Sequence, residues 1–296
     1  MKRTGLLLVI ACNIVLSTAF GEDSNSSTQN PAININPTPP PPANQNGPAS
    51  ALDISKLKSG EQVLRVGHYK QLPPFFYTDI NDQSGFGYEI FSQVAKQAGI
   101  QKVNFIGFEN NIDLNLLLEH GAIDVIANSW DLPGMRKHFL LSTPYYTKGG
   151  LSFLFFKQKG NYQKAEDLKE HTIGVFKHGY ADLYWLPSHG IAKDSIKAFS
   201  NIKELMTALR EGDIDVAVIY YPLAKLAEQQ LPDQLQAVLV EPINDVYAVR
   251  MQDMELAKIL NQAIQTLADN GTLTKIQADY LNPTENVAQN NPNHTT

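Results

Sequence analysis

The stretch from Ile123 to Tyr146 reads IDVIANSWDLPGMRKHFLLSTPYY. Its first residues are apolar and β-branched, which is typical of a buried strand. Asn128 and Ser129 follow at the C-terminal end of that strand, where ligands collect in open α/β sheets. We expect Asp131 to cap a short helix that carries Arg136, and a guanidinium there can bind a carboxylate through two parallel hydrogen bonds. On these residues alone, a surface arginine near a helix start is the competing interpretation.

The composition indicates a chain with a sizeable hydrophobic core and does not favour nucleic-acid binding. The chain has 296 residues, of which 43% are hydrophobic, enough for about two domains of ~150 residues. The net charge is -6, and basic residues form no run beyond Lys2-Arg3. The chain therefore lacks the basic patch by which nucleic acids are bound.

The N-terminus has the pattern of a targeting segment. Lys2 and Arg3 precede the apolar run Leu6 to Leu16, and small residues follow, with a cleavage point after Ala19 or Gly21. The run is too short for an ordinary membrane span. Residues 1–21 are therefore predicted to be a signal peptide, and the protein to be exported.

Cys12, the only cysteine, leaves two interpretations open. Val9 to Cys12 resembles a bacterial lipobox, in which the cysteine carries a lipid. The apolar stretch before Cys12 is short for that role, so soluble release into the periplasm is favoured over lipid anchoring. Residues 22–60 are predicted to be a disordered linker rich in Asn and Pro, and residues 283–296 a polar tail.

Between these ends, strand and helix patterns alternate as in α/β domains. The phrases LLLEHGAIDVIA from Leu116 and TALREGDIDVAVI from Thr207 echo each other as helix, glycine turn, Ile-Asp and strand. This echo indicates two similar lobes. The predicted strands are Leu64–Tyr69, Val103–Phe108, Asp124–Ser129, Ser152–Lys157 and Thr172–Lys177, and the predicted helices are Tyr88–Ala98, Asp113–Glu119, Glu166–Glu170, Ile202–Glu211, Leu256–Ala268 and Leu273–Tyr280.

Several of these segments, in this order, resemble the family 3 extracellular solute-binding proteins of polar amino acid ABC importers. The segments are LRVGHYKQLPPFFY from Leu64, GFGYEIFSQVAKQAG from Gly85, the stretch from Asp124 to Tyr146, TIGVFKHGYAD from Thr172 and DNGTLTKIQADYL from Asp269. The resemblance spans about Val63 to Leu281.

The resemblance implies an α/β, bilobal, periplasmic-binding-protein-like (Venus flytrap) fold, in which two α/β lobes are joined by a two-strand hinge. The chain would cross between lobes twice, near Thr147–Gly150 and Pro242–Tyr247. Residues 61–148 and 245–282 would form lobe 1, and residues 149–244 lobe 2. Gly149 and Gly150 could absorb the dihedral changes of a hinge.

In lobe 1, the resemblance implies that Arg136 takes the α-carboxylate of the ligand. Asn128 and Ser129 match positions that offer backbone and hydroxyl groups, and Tyr69 or Phe75 could cover the apolar part of the ligand. An ordinary core phenylalanine is the alternative for Phe75. Trp130 and Asp131 are further candidates, with Asp131 standing where the family usually has Ser or Thr.

In lobe 2, the loop with His178, Gly179 and Tyr180 leads into a probable helix start, whose backbone N–H groups favour an anion. The resemblance implies that this loop faces the arginine across the cleft. His178 could donate to the ligand, although a lone loop histidine is more often merely exposed.

Two departures from the family leave the ligand class open. Many relatives place an acid for the ligand's ammonium at the positions of Tyr69 and Tyr220, and both are tyrosines here. A buried ammonium without a carboxylate is costly. Either another acid such as Asp131 substitutes, or the two aromatics surround an alkylated cation or stack on a flat acid.

We expect a receptor without a cofactor, because no zinc-type spacing, phosphate-binding loop or dinucleotide-binding glycine triplet occurs. Its expected partners are a small amino acid-like ligand and an ABC permease of the inner membrane, with the protein itself a monomer. The alternatives are a periplasmic enzyme similar to cyclohexadienyl dehydratase, or a ligand-binding partner of a sensory receptor. An enzyme would need an acid to protonate a leaving hydroxyl, and Glu89, Asp131 and His178 are the candidates.

Overall fold

The structure is a computed structural model that describes residues 51–78, 83–109 and 112–281. The predicted signal peptide, most of the linker and the polar tail lie outside these residues. The helices are α1 (Ile54–Ser59), α2 (Phe86–Gln97), α3 (Leu114–Glu119), α4 (Leu186–Ser188), α5 (Ile202–Glu211), α6 (Tyr221–Gln230), α7 (Met254–Asp269) and α8 (Thr272–Leu281). The strands are β1 (Leu64–Tyr69), β2 (Gln71–Leu72), β3 (Phe76–Thr78), β4 (Gln83–Ser84), β5 (Val103–Phe108), β6 (Val125–Trp130), β7 (Phe139–Leu141), β8 (Gly150–Phe156), β9 (Ile173–Phe176), β10 (Ile196–Phe199), β11 (Val216–Tyr220), β12 (Leu235–Pro242) and β13 (Asp245–Arg250).

Two five-stranded sheets form the centres of two lobes. The sheet of lobe 1 has the order β5-β1-β6-β13-β7, and that of lobe 2 the order β10-β9-β11-β8-β12. In each sheet three neighbouring strands run parallel, and the others pair antiparallel. Helices cover both faces of each sheet, so the predicted α/β class and bilobal plan are confirmed.

The aspartates of the two similar Ile-Asp segments make the same kind of hydrogen bond in the two lobes. The carboxylate of Asp124 accepts the backbone N–H of Arg65 at 2.9 Å, and that of Asp215 accepts the N–H of Thr172 at 2.9 Å. Each aspartate thus ties the start of its own strand to the start of the neighbouring parallel strand. The sequence echo reflects one construction used twice.

The chain passes between the two sheets at two places. The first lies between β7 and β8, and the second between β12 and β13, where only Ile243 and Asn244 separate the strands. An isolated bridge pairs Tyr146 with Asp245, so the two connections lie side by side.

The ordered part of lobe 1 begins before residue 61, which corrects the predicted extent of the linker. Asp53 caps α1 by accepting the N–H groups of Ser55 and Lys56, and the helix ends at Gly60, which adopts a left-handed φ of 77°. Leu57 is fully buried against lobe 1, so burial of this side chain holds the helix in place.

The local structure around Arg136 also differs from the expectation. The segment is a single 3-10 turn, Met135–Lys137, whose N-cap is Gly134 without a side-chain hydrogen bond. Asp131 therefore does not cap it, because its carboxylate is bound to Arg136 instead. None of the helices in the described parts of the chain has the length and apolar character needed to cross a membrane.

Candidate functional site

The end of β6 carries two enclosed polar atoms without a partner. Ser129 is 5% exposed, and neither its Oγ nor the Oδ1 of Asn128 has a hydrogen-bond partner within the described ranges. Enclosed polar atoms are normally satisfied, and each exception requires an explanation. Both atoms therefore lack the partner that an enclosed polar atom normally has.

Arg136 lies beyond the same strand end, and Asp131 fixes its orientation. Its Nε donates to Oδ1 of Asp131 at 2.7 Å and its Nη2 donates to Oδ2 at 2.6 Å. The hydrogen bond to Asp131 raises the pKa of Arg136 above its ordinary value. A guanidinium has five N–H donors, so three remain available on the edge that does not face Asp131. The Arg136 side chain is 55% exposed.

Four aromatic side chains, which we call the aromatic seam, join the two lobes. The members are Phe75 and Trp130 from lobe 1, and Tyr180 and Tyr220 from lobe 2. The ring centroid of Trp130 lies 5.7 Å from that of Tyr180 and 5.8 Å from that of Tyr220. The ring centroid of Phe75 lies 5.1 Å from that of Tyr220. Phe75 is also fully buried in the lobe 1 core, which is the alternative that the sequence left open for it. The lobes are in contact along this seam.

Asp245, at the start of β13, was not a sequence candidate, but it lies at the centre of this junction. Its Oδ2 accepts a 2.6 Å hydrogen bond from the hydroxyl of Tyr220, and its carboxylate also accepts one from the side chain of Trp130. The side chain is buried, and burial raises the pKa of Asp245 well above its ordinary value. The only signal in the sequence was an aspartate that opens the otherwise apolar run from Val246 to Val249.

The lobe 2 loop before Tyr180 uses two of its backbone amides in local hydrogen bonds. The N–H of His178 donates to Oδ2 of Asp182 at 2.8 Å, and the N–H of Gly179 donates to the carbonyl of Phe176 at 3.1 Å. Both amides are thus used within the loop, and the side chain of His178 is exposed. Tyr180 instead reaches the junction.

Tyr180 contacts a second acid at the junction. Its hydroxyl donates to Oε1 of Glu241, a partly buried residue of β12, at 3.3 Å. Desolvation, followed by the charge of Glu241, raises the pKa of Tyr180. Tyr180 therefore links the aromatic seam to the second connection between the lobes.

Tyr69 lies apart from the aromatic seam. Its ring packs beside the cluster under α3, which includes Leu114, Leu118 and Phe139, and its hydroxyl donates to the carbonyl of Ile112 at 3.3 Å. Burial raises the pKa of Tyr69 to about 12. Across the described ranges, no group of three or more His, Cys, Asp or Glu residues is placed to hold a metal ion.

Two α/β lobes joined by two strand connections, with polar and aromatic side chains meeting between them, are the architecture of the bilobal binding proteins that close around a ligand. Residues 64–283 match the family model of the bacterial extracellular solute-binding proteins, family 3. The match covers well over half of the chain, so the chain belongs to this family.

The individual relatives have low sequence identity to this chain. The arginine-binding extracellular protein ArtP of Bacillus subtilis is 24% identical over 291 residues, covering 95% of this chain and 98% of its own. An ancestral arginine-binding protein, solved with bound glutamine, is 26% identical with a TM-score of 0.63, covering 74% of this chain and 97% of its own. An ancestral amino acid-binding protein described as a precursor of cyclohexadienyl dehydratase is 23% identical with a TM-score of 0.65, covering 77% of this chain and 99% of its own.

Proposed function

We propose that this protein captures a small carboxylate-bearing solute, an amino acid or a derivative, between its lobes and delivers it to an ABC importer of the inner membrane. The observation that carries the proposal is the Arg136 guanidinium, which Asp131 holds on one edge while three donors stay available. A guanidinium held in this way loses little further side-chain conformational freedom when it binds a carboxylate. The ligand site would also include Asn128 and Ser129.

The aromatic seam would contribute the walls of the site, with Phe75, Trp130, Tyr180 and Tyr220 against the apolar part of the solute. These side chains come from both lobes, so the full set of contacts exists only when the lobes approach. Solute would therefore shift the population toward the closed form. Tyr69, His178 and Gly179 remain weaker candidates, because their described hydrogen bonds are made within their own lobes.

The two connections between the sheets would serve as the hinge. We place the boundaries of lobe 2 at residues 149 and 244, in the short segments that separate β7 from β8 and β12 from β13. Few backbone dihedrals need to change there for the lobes to separate.

The known relatives support an amino acid ligand, since they include an arginine-binding protein and an ancestral protein bound to glutamine. The family description supports a location outside the cytoplasm. We propose the periplasm, with release from the membrane favoured over a lipid on Cys12.

The enzyme alternative receives less support from the three acid candidates. Asp131 is engaged by Arg136, Glu89 accepts a hydrogen bond from Tyr280 at 3.0 Å, and His178 is exposed. We therefore propose a binding protein without catalytic activity.

A thermal-shift screen over the standard amino acids, amines and aromatic acids tests the function. A bound solute raises the unfolding midpoint by mass action, because it adds about 2.7 kcal/mol to the free energy of unfolding at a concentration of 100 times the Kd. If none of these solutes changes the midpoint, the proposal fails. Consumption of prephenate or arogenate would select the enzyme.

A further inference from the structure

Asp245 differs from the other buried acids of lobe 1 in its partners. Asp124 binds Arg65 at 2.6 Å and Arg250 at 3.3 Å, and Asp253 binds Arg250 at 2.8 Å. For Asp245, within residues 51–78, 83–109 and 112–281, no side-chain nitrogen of Lys, Arg or His lies within 4.0 Å. A buried carboxylate without a cation is unfavourable unless a partner or a proton neutralises it.

The surroundings of Asp245 belong to the ligand site of the proposed function. Its two side-chain donors, Trp130 and Tyr220, are members of the aromatic seam, with ring centroids 5.8 Å apart. The faces of Trp and Tyr attract cations, and more strongly when water is excluded. The unpartnered Oγ of Ser129 and Oδ1 of Asn128 lie at the end of β6, the strand that pairs with β13.

Two other acids near the junction are less suited to binding a cation. The carboxylate of Asp131 already accepts two hydrogen bonds from Arg136, and Glu241 is only partly buried. Asp245 combines burial with the lack of a cation.

We propose that Asp245 is the counter-ion for a positively charged nitrogen of the solute, with Trp130 and Tyr220 as the aromatic walls around that nitrogen. The inference rests on the proposed function and deepens it, because it names a zwitterionic or cationic solute. A carboxylate has about four acceptor sites, so Asp245 can keep its bond to Tyr220 while it accepts from an ammonium.

Access to Asp245 follows from the position of its partners. Tyr220 ends β11 of lobe 2, whereas Asp245 begins β13 of lobe 1. Separation of the lobes removes the tyrosine ring and uncovers the carboxylate. Closure then encloses the charged nitrogen beside the acid and the aromatic rings, where water is excluded and the attraction is strongest.

The test compares wild type with Asp245→Asn, which keeps the size of the side chain and an acceptor for Tyr220. The probes are the standard amino acids, putrescine and glycine betaine, which carry a positive nitrogen, and succinate and prephenate, which do not. Thermal shift identifies the bound probes, and calorimetry gives their Kd. We expect every bound probe to carry a positive nitrogen, and Asp245→Asn to raise its Kd at least tenfold.

Glu241→Gln is the matched control, because it neutralises a different acid of the junction and keeps an acceptor for Tyr180. We expect the Kd of this variant for the bound probe to stay within twofold of the wild-type value. An equal loss in both variants would indicate a general field effect and overturn the inference.

The inference also fails if Asp245→Asn binds within twofold of wild type, or if only succinate or prephenate binds. In both cases a solute still binds, so the proposed function survives. If no probe binds wild type, the proposed function fails and this inference fails with it.

Discussion

The hydroxyl of Tyr220 and the carboxylate of Asp245 form a 2.6 Å hydrogen bond that runs from lobe 2 to lobe 1. The bond is buried, and the ring of Tyr220 also packs against Phe75 and Trp130 of lobe 1. Tyr220 of lobe 2 thus makes both a polar and an apolar contact across the junction.

Replacing Tyr220 with Phe removes the polar contact and keeps the ring. A hydrogen bond to a charged group contributes about 1.5–3 kcal/mol, and one to a neutral group about 0.5–1.5 kcal/mol. We expect the unliganded variant to populate open forms more than wild type does, with a larger radius of gyration in small-angle scattering. Tyr145→Phe is the control, because its 2.8 Å bond to the carbonyl of Ala127 lies within lobe 1. Equal radii for wild type and Tyr220→Phe would contradict the prediction.

Replacing Arg136 with Ala should abolish solute binding and leave the fold intact. The side chain is mostly exposed, so its loss costs little stability. Two charge-assisted hydrogen bonds to a carboxylate are worth about 1.5–3 kcal/mol each, so we expect the Kd to rise about 100-fold or more. Calorimetry with the solute found in the screen measures this, and Lys137→Ala, an exposed neighbour, is the control. An unchanged Kd would refute the role of Arg136.

The stability of the unliganded protein should depend on pH through Asp245. Burial raises its folded pKa well above the ordinary value, and the hydrogen bonds from Tyr220 and Trp130 only partly oppose this. The native state therefore keeps the proton to a higher pH than the unfolded chain does. The contribution of the Asp245 proton to the free energy of unfolding is fully present below the unfolded pKa of about 3.9. It is lost as the pH rises through the folded pKa.

The measurement is the difference in unfolding midpoint between wild type and Asp245→Asn, followed upward from about pH 4. We expect wild type to lose stability relative to the variant as the pH rises. The titratable groups that interact with the charge of Asp245 are tyrosines whose pKa is itself raised, and they stay protonated in the acid range. Parallel curves for the two proteins would show that Asp245 does not titrate in this way.

Replacing Gly149 with Ala should destabilise the junction. An added Cβ would collide with Oδ2 of Asp245, and it would lie 2.9 Å from the carbonyl oxygen of Ile243. Overpacking of this kind costs about 1–3 kcal/mol, which lowers the unfolding midpoint by several degrees. Gly134→Ala is the control, because its Cβ would meet nothing within 4 Å. Similar midpoints for the two variants would argue against tight packing at Gly149.

The regular parts of the fold were predictable because their signals are local. Leu64–Tyr69, Val103–Phe108 and Ile202–Glu211 have the predicted bounds, and each combines a clear period with a turn or cap at its ends. The segments α6 and β12 were not predicted. Both lie in the stretch after Tyr220, where the apolar residues follow neither the helical period of 3.6 residues nor the strand period of 2 consistently.

The site was only partly predictable, because its partners lie far apart in the chain. Asp131 is a reasonable N-cap by local preference, but the charge of Arg136 five residues later competes for the same carboxylate. Asp245 gave no local signal, since its donors Trp130 and Tyr220 are brought to it only by the crossing of the chain between sheets.

The helices α1 and α8 both pack into the core of lobe 1, so the described chain enters and leaves through the same body. The strands of the second sheet, β8 to β12, are consecutive in the chain and lie between β7 and β13 of the first sheet. Immobilising either end of the described chain, by a tag or on a sensor surface, would therefore attach the protein through the lobe 1 core and leave the second sheet unattached.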